Sequence, residues 1–367
     1  MDAAPHRPLG AIVREWIALL DLPTTPVLRR RLLVGGVGLG ALVALWPVIV
    51  RGGRVPTLRD LVIWLLGLLA VGAVLAVADL LGGVRFSRPR FADLALVALP
   101  MLVAALLTFP NLADPYFSAI GDEYAFWEFA RELAKGLPRD PFSQAGVYGN
   151  HPVLSSYLMA ATIKLFGPDQ AGWRAAAALS LVVAAGGMAL LGALAQGRVA
   201  GLVAGTGVAV AHPLLAYAHT GYNNIQAVPL TILSLAAGLA GRRVGSAALA
   251  FVGGVFAGFG WYTFYTGRVA IAALLALVVL QPGRGRRWLQ ALTAMFGFVL
   301  AILPLIASSK EEVITKMLAE TAAAPAAGTD GIEAVLRRIV TMTVIAIRAP
   351  GTATGPAITS PAPCSTR

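Results

Sequence analysis

Residues 60–82 read DLVIWLLGLLAVGAVLAVADLLG, with no charge between Asp60 and Asp79. About twenty apolar residues, at about 1.5 Å each in a helix, cross the roughly 30 Å of bilayer hydrocarbon. Inside lipid a helix satisfies its own backbone over that length. Runs of the same kind recur near 32–50, 91–109, 175–195, 199–216, 225–241, 246–262, 264–280 and 289–307. Together they predict an all-α polytopic membrane protein with about nine transmembrane helices. Composition agrees: the chain is 57% hydrophobic and 13% charged, with a mean hydropathy of +0.75, whereas soluble domains carry about 25% charged residues.

The net charge of +11 does not indicate nucleic acid, because the basic residues sit in short clusters between apolar runs. Arg29–Arg31, Arg85/Arg88/Arg90, Arg198, Arg242-Arg243 and Arg284/Arg286/Arg287 are placed as the positive-inside rule places cytoplasmic loops. The clusters alternate correctly only if the apolar stretch 152–166, with Ser155, Ser156 and Lys164, does not cross and lies along the membrane surface. Segments 110–174, 217–224 and 308–335 then face outward. Arg51, Arg54 and Arg59 are misfits, since this topology puts them outside. The N-terminal segment reads as a start-transfer anchor rather than a cleaved signal. The lone cysteine, Cys364, and four scattered histidines form no disulfide framework and no HExxH-type metal motif.

The large outward loop carries an amphipathic pattern. Phe126, Phe129, Ala130 and Leu133 repeat as one helical face, opening near Asp122 and closing at Gly136 before Pro138. Tyr124 and Trp127 suit a membrane interface. At the start of this helix the adjacent acids Asp122 and Glu123 could act as a general base and its partner, or hold a divalent cation, the one candidate cofactor. A solvated acidic loop is the plainer alternative. Arg268, within an apolar run near its outward end, either snorkels or pairs with an anion, and its planar fork suits phosphate. His151 before Pro152 is either a proton carrier and phosphate contact or simply a helix start. Asn223 and Asn224 on an outward turn, and Tyr265 in the aromatic run 261–265, could contact a sugar, or could be ordinary interfacial residues.

The order Gly121-Asp122-Glu123-Tyr124, then Asn150-His151-Pro152-Val153-Leu154, then Lys164-Leu165-Phe166-Gly167 with Arg174 behind it resembles glycosyltransferase family 39. These GT-C-fold enzymes include protein O-mannosyltransferases and aminoarabinose transferases. Gly258 to Thr263 with Arg268 is similar to a later segment of the family. The resemblance spans residues 91–348 and implies a membrane glycosyltransferase of the cell (plasma or inner) membrane with an extracytoplasmic site. It implies a polyprenyl-phosphate sugar donor, an acceptor on protein, lipid or glycan, and inversion at the anomeric carbon. Asp122 would be the base and Glu123 its support, with His151 and Arg268 toward the donor phosphate. Where several relatives have a second acid on the outward turn, this chain has Asn223-Asn224.

The expected organisation is a cytoplasmic segment 1–31, two additional N-terminal helices in 32–90, a GT-C-like domain over 91–348 that is incomplete, and an irregular tail 349–367. That tail is small, polar and proline-rich, which suggests a frameshift or truncation and leaves Cys364 without functional weight. Two other classes compete: a transporter or lipid flippase, and an inactive truncated scaffold. Transporters place charges near the midplane on related halves. Here the charges sit at the outer edge and no halves repeat. Resequencing the source DNA across codons 340–367 should reveal a second frame continuing into further apolar runs; a confirmed stop with no such frame favours the scaffold.

Overall fold

The computed structural model describes residues 26–86, 90–113, 121–149, 151–283 and 285–308. The sequence readings on 1–25, Arg88, Asp114, Asn150, Arg284, 309–348 and the tail fall outside these residues. The regular elements among the described residues are all helical. α1 (Pro26–Ala44) continues after a break into α2 (Trp46–Val50), followed by α3 (Leu58–Leu81) and α4 (Phe91–Thr108). The loop region holds α5 (Gly121–Ala134) and α6 (Val153–Phe166). Then come α7 (Gln170–Gln196), α8 (Arg198–Val210), α9 (His212–Ala218), α10 (Ala227–Val244), α11 (Ala247–Phe259), α12 (Ala270–Leu280) and α13 (Arg287–Ser308).

Each of the nine apolar runs coincides with helix. Among the described residues, five helical segments are long and apolar enough to cross a membrane: Leu58–Leu81, Phe91–Thr108, Gln170–Gln196, Asn224–Val244 and Arg287–Ser308. α8 and α9 make a sixth if counted as one span bent by 54°. Pro213 stands in the first turn of α9 and Ala211 before it is extended, as expected where proline removes a backbone donor and interrupts the helical ladder. Ala247–Tyr262 and Tyr265–Leu280 are shorter apolar segments. α1 carries Arg29, Arg30 and Arg31 near its start, so its apolar part reaches full length only with α2.

Side-chain ties identify the two ends of the bundle. At one end Asp79 of α3 accepts from Ser246 Oγ at 2.5 Å and from the backbone N–H groups of Ala247 and Ala248 at the start of α11, an acid satisfying helix N-terminal donors. Arg242 donates to Gln290 at 2.7 Å and to the Gln281 carbonyl, while Arg198 reaches Asp93. Arg198 and Arg242, from two of the basic clusters of the sequence, lie at this end. At the opposite end Ser308 Oγ donates to the Phe142 carbonyl, and Asn223 Nδ2 donates to Thr263 O at 3.0 Å and Ser155 Oγ at 3.2 Å.

This second end also accounts for two misfit arginines. Arg51 pairs with Asp140. Arg54 forks onto Asp60 at 2.7 and 2.8 Å, and the same carboxylate accepts from Trp46 Nε1 and Thr57 N. Fixed partners, rather than free positive charge, occupy these two positions.

α6 does not run from one end to the other. Its start is tied to Asn223 and Gln226 through Ser155, and just past its finish Pro168 O accepts from Trp127 Nε1 at 3.1 Å. The predicted stripe of α5 is present, with Phe126, Ala130 and Leu133 buried, but it differs from the expected interfacial face. Met159 and Ile163 of α6 and Trp173 and Ala176 of α7 cover it, so it serves packing within the protein.

Where α11 and α13 cross, a Cβ on Gly254 would lie 1.8 Å from the Ala294 carbonyl oxygen; the helices approach that closely only because the side chain is absent. Gly254→Val should therefore lower stability by at least about 1–3 kcal/mol, read as thermal unfolding in detergent. Gly38→Ala, whose Cβ would meet nothing within 4 Å, should leave it unchanged or slightly raised.

Candidate active site

α5 opens with two acids that the helix turns in different directions. Asp122 is exposed, whereas Glu123 is fully buried. Glu123 Oε1 accepts from Arg174 Nε at 2.7 Å, Gly221 N at 2.8 Å and Trp173 Nε1 at 3.2 Å, and Oε2 accepts from Arg174 Nη2 at 3.3 Å. Arg174, also at 0% exposure, donates in addition to the Leu112 carbonyl at 3.2 Å. A buried ion pair is tolerated only when its remaining donors and lone pairs are met, and here Trp173, Gly221 and Leu112, from three chain segments, help to meet them. Gly221 is required for this arrangement, since a Cβ there would fall 1.7 Å from Trp173 Nε1.

Above Asp122 lies a loop closed by backbone bonds: Gly146 N donates to His151 O, Gly149 N to Gly146 O, His151 N to Val147 O and Val153 N to Ser143 O. At its tip Tyr148 adopts φ +55°, followed by Gly149 at +74°. A bulky residue rarely takes this left-handed conformation. It brings the phenol back over α5, where Tyr148 Oη donates to Asp122 Oδ1 at 2.9 Å. The bond to the neighbouring carboxylate raises the phenol's pKa above its ordinary value. His151 packs edge-on against Phe126 at 4.9 Å. Burial lowers its pKa, opposed in part by Asp122, which favours the neutral ring. Tyr222 stands on the other edge of Phe126 at 5.6 Å, its phenol pushed up to about 12 by burial first and then by Asp122 and Glu123.

The structure thus gathers Asp122, Glu123 and His151, and adds Tyr148, Arg174, Trp173 and Tyr222. Asn223 is fully buried and spends its amide N–H groups on Ser155 and Thr263; Asn224 beside it is half-buried. Tyr265 is exposed and stacks at 4.1 Å on Phe264. Arg268 sits on the same short turn, Tyr265–Val269, with its guanidinium 5.6 Å from the Trp261 ring. Asn223 ties Thr263, just ahead of that turn, to Ser155 at the start of α6. An open cleft of about 200 Å³ separates α5 from the Tyr148 loop, lined in part by Glu128, Phe129 and Glu132.

The idea of a cation held jointly by Asp122 and Glu123 does not fit this geometry. Both oxygens of Glu123 are committed to nitrogen donors, and among the described residues no three His, Cys, Asp or Glu side chains converge as a metal site. Of the residues the sequence reading left without a role, Arg174 had the clearer signal: an arginine at the head of an apolar run needs an acid. Tyr148 had only its place between Gly146 and Gly149.

Residues 150–309 match the family described as dolichyl-phosphate-mannose-protein mannosyltransferase. Over that stretch, less than half of the chain, the sequence is similar to glycosyltransferase family 39. No curated protein and no solved structure matches it. The matched region is similar to membrane glycosyltransferases of the GT-C type. It takes in His151, Arg174, Asn223, Asn224, Tyr265 and Arg268 but ends short of α5. The Glu123–Arg174 pair therefore joins the unmatched acidic helix to the matched region.

Breaking that pair from one side leaves a charge buried alone. Glu123→Ala or Arg174→Ala should each cost about 3–5 kcal/mol, measured as thermal unfolding in detergent. The double replacement Glu123→Met with Arg174→Met should cost clearly less than the sum of the single losses; additive losses would show that the two side chains do not act as a pair.

Proposed function

We propose that the protein transfers a sugar from a polyprenyl-phosphate donor to an acceptor on a protein, lipid or glycan at the outer face of the cell membrane, with Asp122 as general base. The observation that carries this reading is an exposed carboxylate next to a fully buried, fully hydrogen-bonded one. Glu123 anchors the first turn of α5, and Asp122 is held at the surface by that anchor. Location outside rests on charge. Arg198 and Arg242, from two of the basic clusters, lie at the other end of the bundle, which the positive-inside rule assigns to the cytoplasm.

The chemistry needs little beyond alignment, since a glycosyl phosphate already contains a good leaving group. The acceptor oxygen or nitrogen attacks the anomeric carbon from the face opposite the phosphate. A new bond forms to that carbon as the carbon–oxygen bond to phosphate breaks. The electron pair leaves with polyprenyl phosphate, the configuration inverts, and Asp122 takes the acceptor's proton. His151 can donate an N–H to a phosphate oxygen, and the Arg268 fork can neutralise charge that builds there. Asn223, Asn224 and Tyr265 complete the wall on that side, with Tyr265 presenting the exposed aromatic face.

Asp122→Asn should lower transfer from polyprenyl-phosphate mannose, the first donor to assay, by roughly a hundred- to ten-thousandfold. Thermal unfolding and donor binding should stay near wild type, because Asp122 is exposed. Transfer retained by this variant removes Asp122 from the chemistry.

A further inference from the structure

Tyr148 is the only non-glycine among the described residues with positive φ, at +55°. Glycines stand close on both sides at 146 and 149, so the loop has residues suited to such backbone, and yet the strained position carries a tyrosine. Packing does not explain it, because the side chain is 61% exposed. What it makes instead is one directed contact, the 2.9 Å hydrogen bond to Asp122 Oδ1. Four backbone bonds hold the loop that aims it: Gly146 to His151, Gly149 to Gly146, His151 to Val147 and Val153 to Ser143. A Cβ on Gly146 would press to 2.5 Å from the His151 carbonyl, so the loop is closed as tightly as the chain allows. Among the described residues, Asp122 Oδ2 accepts no hydrogen bond.

An aspartate on the first turn of a surface helix can swing about its side-chain torsions, and a swinging carboxylate is a poor base for a hydroxyl that must be met in line. We propose that Tyr148 is a positioning residue: its phenol holds Oδ1 of Asp122 so that Oδ2 is presented as the single proton-accepting atom toward the acceptor. The inference rests on the reading of Asp122 as the base. The phenol keeps its proton throughout. The proton lost by the acceptor goes to Oδ2, and the Tyr148 hydrogen bond to Oδ1 survives the step. The cleft between α5 and the Tyr148 loop is lined by Tyr148 itself and by Ala125, one turn along α5 from Asp122, so an acceptor lying in it would reach the carboxylate from the side of the phenol.

Two measurements on the full chain in detergent test the inference, and one of them needs no substrate. In ultraviolet titration, the Tyr148 wave is isolated as the difference between wild type and Tyr148→Phe. It should move to lower pH in an Asp122→Asn background, because the carboxylate that raises it is gone; an unmoved wave would show that the two groups do not interact and overturn the proposal. In transfer from polyprenyl-phosphate mannose, Tyr148→Phe should lower kcat roughly ten- to a hundredfold while the donor KM stays within about twofold. Tyr148→Gly, which suits the left-handed backbone but lacks the phenol, should lose as much. Wild-type kcat in Tyr148→Gly would make the loop conformation, not the phenol, the contribution of this position and overturn the proposal. In the Asp122→Asn background, Tyr148→Phe should lower the residual transfer no further. If Asp122→Asn is inactive and Tyr148→Phe is fully active, the positioning role alone is wrong. If Asp122→Asn keeps full transfer, the base reading falls and the positioning role with it.

Discussion

The buried contact between Glu123 and Arg174 is the constraint on which the rest of the site depends. Two opposite charges without access to water are stable only if nearly every donor and acceptor around them is met. That requirement draws in the Trp173 indole, the Gly221 amide and the Leu112 carbonyl. Those groups come from the head of α7, the turn before α10 and the end of α4. Satisfying one ion pair thus brings together the segments that surround Asp122.

The pair also separates the roles of two adjacent acids. Glu123 is spent on structure; Asp122, one residue earlier and about 100° away around the helix, is left at the surface. The pair fixes the backbone of that first turn, and the Tyr148 hydrogen bond to Oδ1 fixes the Asp122 carboxylate itself. The aromatic residues contribute to the same end. Phe126 lies between His151 and Tyr222, so the stripe that packs α5 onto α6 and α7 also sets the imidazole and a phenol beside the carboxylate.

At the other end of the bundle the same physics serves only the fold. Asp79 caps α11 and Arg242 joins α10 to α13 through Gln290. Small residues along α11 and α13 let those helices approach closely, with Gly254 against Ala294. The protein therefore has one end in which buried polar groups lock helices together and another in which they also position exposed chemistry.

Much of this was legible in the sequence. Run length and composition determined the helical membrane class, because the cost of exposing backbone or charge to lipid depends on local composition alone. The period of Phe126, Phe129, Ala130 and Leu133 determined α5 and its apolar face. The motifs around His151 and Arg268 pointed to the family through residue order. What only the tertiary structure decided was partnership. Whether Glu123 chelates or pairs depends on Arg174, 51 positions away; whether Arg51 and Arg54 break the topology depends on Asp140 and Asp60. The direction of Tyr148 depends on a loop closed by backbone bonds. Such contacts have no period and no local spacing, because their energy is set by which distant group arrives and by how much water is excluded when it does.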